Sequence, residues 1–297
     1  MRITAVSYLN TLPFIYGIEQ RVAPFSAGRT ASAQPETERS FAEGEGIALT
    51  LRVPSLCAAD AMTGKADIAL VPVAAIPQIP GFSVSSFSET AAECSLARFT
   101  PQIVTDFCIG AEGRVDTVVL LSDTPIEAVR RIYLDAHSRT SVLLVRVLAG
   151  EHWGIEPQWV DCADCTTDFI DRKRRLEHGE AIVAIGDKVF ALKAAHRYAC
   201  CYDLAEEWAR MTGGLPFVFA AWVACSPAGM AFAPTLNEAL TYGVEHVAEA
   251  ITKTVNRSGN FDFQPAYDYL TRSIKFDLDE RKRMAMRLFW EKIISPG

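Results

Sequence analysis

From Met1 to Pro80 one pattern recurs: a short apolar run, a turn, then a helix-forming stretch. Arg2 to Val6 reads as a buried strand, and Ser7-Tyr8-Leu9-Asn10-Thr11 as the turn after it. Asn10 or Thr11 can cap a helix whose first turn holds Pro13, where a missing N–H costs nothing. Ile47 to Val53 alternates as a strand and ends at Pro54. Ser55 can then cap a helix over Leu56 to Thr63, which Gly64 stops. Asp67 to Val71 is a further strand, followed by Pro72 and a helical Val73 to Ile76. Strands joined through helices cannot pair as hairpins, so the pattern requires a parallel sheet in an α/β fold. In such sheets ligands bind outside the carboxyl ends of the strands.

The chain has 297 residues, about two domains' worth. With 49% hydrophobic and 22% charged residues it can bury a core, which excludes disorder over its whole length. Two stretches, Ala23–Gly46 and about Ser83–Thr100, are poor in aliphatic residues and read as loop insertions. Beyond them, Ile103–Ile109 and Val115–Leu121 are apolar strands, and Thr124-Pro125 opens a helix through Arg131. Arg131–Asp135 is a strand, Ser141–Ala149 a helix, and Gln158–Val160 a short strand. A helix over Phe169–His178 ends at Gly179, and the strand Ala181–Ile185 leads into Gly186-Asp187-Lys188. Ala205–Met211 is helical, Phe217–Cys225 is a long strand, and helices follow from Thr235, the strongest over Asp279–Ile294.

A net charge of −7 argues against nucleic acid as partner, since phosphate binding draws on clustered Lys and Arg. The basic run Arg172–Arg175 reads as a solvated face. Ser7, Asn10, Thr11 and Pro13 interrupt the apolar start, so no secretory leader is expected and the expected location is cytoplasmic. The charge-free windows Ile68–Ser88 and Leu215–Leu236 approach the length of a membrane span, but repeated prolines make them buried strands and turns. No membrane insertion is expected. The cysteines are expected to be reduced, including the lone pair Cys162-Ala-Asp-Cys165. No dinucleotide, nucleoside triphosphate or zinc-protease motif is present, so no metal and no cofactor is expected.

The segment His137-Ser138-Arg139-Thr140-Ser141 stands between a strand and a helix. Free N–H groups, the hydroxyls of Ser138, Thr140 and Ser141, and the Arg139 guanidinium suit a carboxylate or phosphate there. A plain helix cap with a surface Arg explains the same pattern. Ser7, Asn10 and Thr11 end the first strand, and Ser55 and Asp187 hold equivalent places in later units. Each of these is also an ordinary turn or cap residue.

Five segments come in a recognisable order: Val6–Gly17 (VSYLNTLPFIYG), Lys65–Ile76 (KADIALVPVAAI), Ser138–Val142 (SRTSV), Ile185–Asp187 (IGD) and Gly214–Trp222 (GLPFVFAAW). Together they resemble the chorismate dehydratase family of the futalosine route to menaquinone. The resemblance implies a two-lobed type II periplasmic-binding-protein-like fold. Each lobe is a mixed sheet flanked by helices, and two crossover strands, Val115–Leu121 and Phe217–Cys225, join them. Lobe 1 then comprises residues 1–113 and 222–297, and lobe 2 residues 114–221. The implied reaction removes water from chorismate to give 3-[(1-carboxyvinyl)oxy]benzoate, without metal or organic cofactor, with chorismate held between the lobes. By this resemblance Ser138–Ser141 with Arg139 take a substrate carboxylate, and Ser7, Thr11, Ser55 and Asp187 line the site. Asn10 meets the departing hydroxyl or the enolpyruvyl group, and the small hydroxyl residue of the first crossover falls at Thr117. The base is either the substrate's own enolpyruvyl carboxylate or Asp187. A binding protein or sensor of the same fold, and the sister enzyme 1,4-dihydroxy-6-naphthoate synthase, are the competing readings. Oligomeric state is left open.

Overall fold

The computed structural model describes residues 1–22, 38–40, 46–84, 99–135, 138–162, 165–171, 173–258 and 262–294, with backbone alone at 38–40, 165 and 256–258. The chain divides into two units, Met1–Ile109 with Ala220–Asp279, and Gly110–Phe219 with Glu280–Gly297.

The first unit is built on a seven-stranded sheet. Its strands are β1 (Arg2–Val6), β2 (Glu38–Ser40), β3 (Ala48–Arg52), β4 (Ile68–Pro72), β5 (Gln102–Ala111), β11 (Phe217–Ala224) and β12 (Lys275–Asp277). They lie in the order β12-β5-β11-β4-β1-β3-β2. β1 pairs in parallel with β3 and β4, as the strand-helix alternation requires, while β11 runs antiparallel to β4 and β2 antiparallel to β3. Every residue of β4 is buried, as expected of a central strand covered on both faces. Helices α1 (Leu12–Arg21) and α2 (Pro54–Met62) follow β1 and β3, and α7 (Pro227–Glu245), α8 (Val247–Ser258) and α9 (Phe263–Asp268) complete the unit. Phe14 of α1 meets Phe107, Trp222 and Phe276 edge-on, with ring centroids 6.0, 6.0 and 5.2 Å away.

Helices α1 and α7 cross at two glycines. A Cβ on Gly17 would stand 1.9 Å from the Ala239 carbonyl oxygen, and one on Gly243 would stand 1.9 Å from that of Pro13. Only a bare backbone allows this approach, and it fixes α1 and the turn that precedes it.

The second unit carries a five-stranded sheet in the order β10-β6-β9-β7-β8. These are β6 (Val118–Ser122), β7 (Arg131–Asp135), β8 (Gln158–Cys162), β9 (Glu180–Ile185) and β10 (Cys200–Asp203). β7 is parallel to β8 and β9, whereas β6 is antiparallel to both β9 and β10. The helices are α3 (Arg139–Leu148), α4 (Cys165–Ile170), α5 (Lys188–Ala195), α6 (Leu204–Met211) and α10 (Glu280–Ile294).

Several expectations need correction. The chain passes between units inside β5 and β11; Val115–Leu121 is not a crossover, because β6 lies wholly within the second sheet. The last helix groups with the second unit and not with residues 222–279. Phe289 closes against Trp208 and Phe217 at 5.9 and 5.1 Å, and the buried Lys282 reaches Glu112 at 2.7 Å. The helix expected from Thr124 is only a short turn at Ile126–Ala128. Thr124 donates its N–H to Ser122 Oγ and accepts from Gly179 N, which ties the segment to its neighbours. The helix expected to reach His178 stops at Ile170, and Arg174 instead lies over the Tyr133 ring at 4.3 Å. Of the two expected insertions, residues 23–37, 41–45 and 85–98 lie outside the described part. The thiols of Cys57, Cys108, Cys200, Cys201 and Cys225 are free, as expected, but Cys162 is disulfide-bonded and its partner lies outside the described side chains. Among the described residues no helix is long and apolar enough to cross a membrane.

Candidate functional site

Because β1, β3 and β4 are parallel, their carboxyl ends share one edge of the first sheet. The turn after β1 is held by its own chemistry. Ser7 N–H donates to the Arg52 carbonyl at 2.9 Å, which joins the ends of β1 and β3. The fully buried Thr11 donates its hydroxyl to the carbonyls of Val6 and Tyr8, at 2.6 and 2.7 Å. Its side chain therefore closes the turn on itself. It caps no helix N–H, and neither does Ser55: α2 begins at Pro54 with Val53 before it, so Ser55 already lies inside the helix. The missing cap follows from Pro54, whose fixed φ starts the helix one residue early.

Asn10 is different. Its Oδ1 is buried and has no hydrogen-bond partner among the described residues, and the same holds for Nε1 of the fully buried Trp222. A buried polar atom without a partner costs about 1–3 kcal/mol. One unmatched acceptor and one unmatched donor thus belong to the unit whose edge carries Asn10.

The edge of the second unit has another character. β7 and β9 are parallel neighbours, and each leads at its carboxyl end into a helix start, α3 after β7 and α5 after β9. Ser138 is the N-cap of α3, its Oγ accepting the Ser141 N–H at 3.1 Å. Ser138, Thr140 and Ser141 are all buried, and Thr140 Oγ1 lies 3.4 Å from the Phe219 carbonyl. Arg139 is exposed and stands at the first position of α3. After β9, Gly186 takes a φ of 62°, and Asp187 precedes α5 without capping it. The Gly186 N–H donates to the Thr117 carbonyl at 2.8 Å, so Thr117 and Asp187 lie on neighbouring turns. His137 lies outside the described residues.

Thr117 owes its place to Asp203. That buried carboxylate accepts the N–H groups of Val115 and Asp116, at 3.1 and 2.7 Å, and those of Ala205 and Glu206 at the start of α6. It thereby holds Asp116 at a φ of 68°, a left-handed conformation uncommon for a residue with a Cβ. Burial pushes the Asp203 carboxyl above its ordinary range, and the backbone N–H groups pull against that shift. A cavity of about 180 Å³ in this unit, bounded by Phe169, Arg174, Leu176 and Tyr198, lies at the far end of α5 from the helix start and takes no part in this edge.

The profile for menaquinone biosynthesis matches residues 90–294, well over half of the chain. The chain belongs to the menaquinone biosynthesis family. Among solved structures, a protein from Archaeoglobus fulgidus is 12% identical over 98% of this chain and 95% of its own, with a TM-score of 0.65. An ABC transporter from Parabacteroides distasonis is 14% identical over 98% and 92%, with a TM-score of 0.56. A Candida albicans gene product, described as exhibiting the generic periplasmic binding protein structural fold, is 12% identical over 100% and 91%, with a TM-score of 0.54. At such identities the likeness concerns the fold, and it agrees with two mixed sheets flanked by helices.

In this menaquinone-biosynthesis family member the structure gathers Thr117, Ser138, Thr140, Ser141 and Asp187 onto one edge of the second unit, and Ser7, Asn10 and Thr11 onto one edge of the first. No sequence motif singles out Asp135, Lys188 or Asp203, and Trp222 falls only within the Gly214–Trp222 segment. Asp135 ends an apolar strand and is buried, which is the one local sign that it serves more than solvation. Asp203 likewise ends a strand and stands at the N-cap of α6, but its bonds to Val115 and Asp116 join residues remote in sequence and leave no local sign.

Proposed function

We propose that this protein is a chorismate dehydratase acting in the cytoplasm, converting chorismate into 3-[(1-carboxyvinyl)oxy]benzoate. The observation that carries the reading is the Ser138–Ser141 helix start: a hydroxyl-lined N-terminus with Arg139 at its first position, in a chain of the menaquinone biosynthesis family. Chorismate is a dianion, and this arrangement offers N–H dipoles, hydroxyls and a guanidinium to a carboxylate.

The reaction breaks the C–H bond at the ring carbon bearing the enolpyruvyl ether and the C–O bond of the neighbouring hydroxyl. The electron pair of the C–H bond enters the ring, which becomes aromatic, and water leaves. The driving force lies in the substrate, so the protein's task is to hold one geometry and suppress competing rearrangements. Asn10 orients the departing hydroxyl or the enolpyruvyl group, and its unmatched Oδ1 supports that role. Thr117 assists, held by the Asp203 clamp. Ser7, Thr11 and Ser55 line the substrate site. The substrate's enolpyruvyl carboxylate takes the proton, with Asp187 as the protein's alternative base. No metal or organic cofactor enters this scheme.

Incubating metal-stripped protein with chorismate and following products by mass spectrometry tests the reading. Loss of one water to an aromatic enol ether is expected. Chorismate bound and returned intact favours a binding protein, and neither binding nor turnover by folded protein overturns the assignment. If Asp187→Asn abolishes turnover with binding intact, Asp187 is the base.

A further inference from the structure

We infer that the cavity between the ends of α4 and α5 binds a small aromatic carboxylate, with its charge on Arg175 and Arg197 and its ring against the apolar floor. The cavity lies at the far end of α5 from the helix starts, and the inference does not rest on the dehydratase reading.

Two short stretches form its walls. Arg174, Arg175 and Leu176 follow α4, and Ala195 to Tyr198 close α5 and lead toward β10. The floor is the hydrophobic core of the unit. Phe169 is a buried member of the cluster that holds Leu121, Ile182 and Leu192, and Leu176 and Tyr198 pack against it. Asp123 pins the wall after α5: its carboxylate meets His196 Nε2 at 2.8 Å and accepts the Ala199 N–H at 3.0 Å. Arg174 pins the other wall, donating to the Tyr133 hydroxyl and lying over the Tyr133 and Phe169 rings at 4.3 and 5.5 Å.

The polar groups around this floor are unevenly matched. Arg174 faces Glu180 at 3.9 Å, and His196 faces Asp123. Arg175 and Arg197 make no ion pair or hydrogen bond among the described residues, and no described carboxylate lines the cavity. The Tyr198 hydroxyl has no hydrogen-bond partner among those residues either. Burial, with the Asp123 charge beside it, pushes that phenol up to about 12, so at neutral pH it is a protonated donor. Two guanidiniums and a phenol O–H thus border an apolar floor. Guanidinium forks match a carboxylate, and an aromatic floor matches a ring. Size selects within that class: a cavity of roughly 150 Å³ accepts one benzene ring, and this one measures about 180 Å³. Arg175 and Arg197 are exposed, so the carboxylate is held at the mouth while the ring enters. Arg174 and Arg175 of the basic run therefore line a cavity, and are more than a solvated face.

Calorimetric titration of the full chain tests the inference. Benzoate is the probe, benzamide supplies the same ring without charge, and inorganic phosphate supplies charge without a ring. Circular dichroism checks the fold of each variant. Benzoate is expected to bind wild type with a Kd of roughly 1 mM or below, and benzamide and phosphate about tenfold more weakly. Arg175→Ala and Arg197→Ala each weaken benzoate about tenfold, Arg197→Lys recovers part of the loss, and Tyr198→Phe costs about threefold. Arg139→Ala leaves this affinity within about twofold, which separates the cavity from the Ser138–Ser141 helix start. No benzoate binding up to about 10 mM overturns the inference. So does a loss that follows Arg139→Ala and neither Arg175→Ala nor Arg197→Ala. Phosphate bound as tightly as benzoate, with the same arginine dependence, overturns the aromatic assignment.

Discussion

The two units present the carboxyl ends of parallel strands by different means. In the first, the turn after β1 spends its hydroxyl on its own backbone: Thr11 bonds to Val6 and Tyr8, and the exception is the unmatched amide oxygen of Asn10. In the second, the turns after β7 and β9 open into helices that begin with Arg139 and Lys188. The Ser7–Thr11 turn offers neutral donors and acceptors, and the Arg52 guanidinium at the end of β3 is paired with Asp60 at 2.8 Å. The other edge offers positive charge. An uncharged amide suits orientation of a hydroxyl, where direction matters, whereas cations suit attraction of a carboxylate, where charge matters.

The most severe way to break the contrast is steric. Gly17→Val places side-chain atoms where α7 already lies, and a loss of about 3 kcal/mol or more from the first unit is expected. Thermal unfolding followed calorimetrically reads it; an unchanged profile means that the α1–α7 crossing does not hold the Asn10 turn. Next in size is a kinetic split. Arg139→Ala should raise KM roughly 10–100-fold, while Asn10→Ala should lower kcat at nearly constant KM. The same effect from both variants would erase the distinction between the edges.

A smaller effect separates the units by pH. The Arg2 guanidinium, its backbone N–H and Ser226 Oγ hold the Asp67 carboxyl down to about 2. A depressed acid stabilises the fold above its unfolded range, near 3.9, and that contribution is lost as pH falls through about 2. Arg2 is half exposed, so solvent screening limits the contribution to about 1–2 kcal/mol. Asp67→Asn should therefore lower stability at neutral pH and leave it nearly unchanged near pH 2, as denaturant midpoints across that range will show. The smallest expected effect is Ser138→Ala, about 1 kcal/mol from the lost cap, with weaker anion binding. Retained affinity after that change would reduce Ser138 to a cap alone.

Much of the candidate site was legible because it sits where local rules act. Ser138 reads as a cap from its own neighbours, and the parallel order of β1, β3 and β4 follows from strands separated by helices. Thr11 was legible as a turn residue, though not that its hydroxyl would serve carbonyls instead of a helix N–H. The helices expected from Thr124 and through His178 failed because tertiary partners outbid helix propensity: Gly179 holds Thr124, and Tyr133 with Phe169 holds Arg174.

What the sequence determined by itself was local and periodic: strands long enough to be buried, turns that must end them, and helix starts at fixed places along the chain. The tertiary structure alone decided which distant residues share those places. It moved the first crossover to β5, drew α10 into the second unit through Phe289, set Asp203 beneath the Asp116–Thr117 bend, and brought Lys188 to Asp135. The physical reason is range. Backbone geometry, capping and hydrophobic period act over a few residues, whereas a carboxylate binds whichever amide or ammonium the packing of whole sheets and helices brings to it.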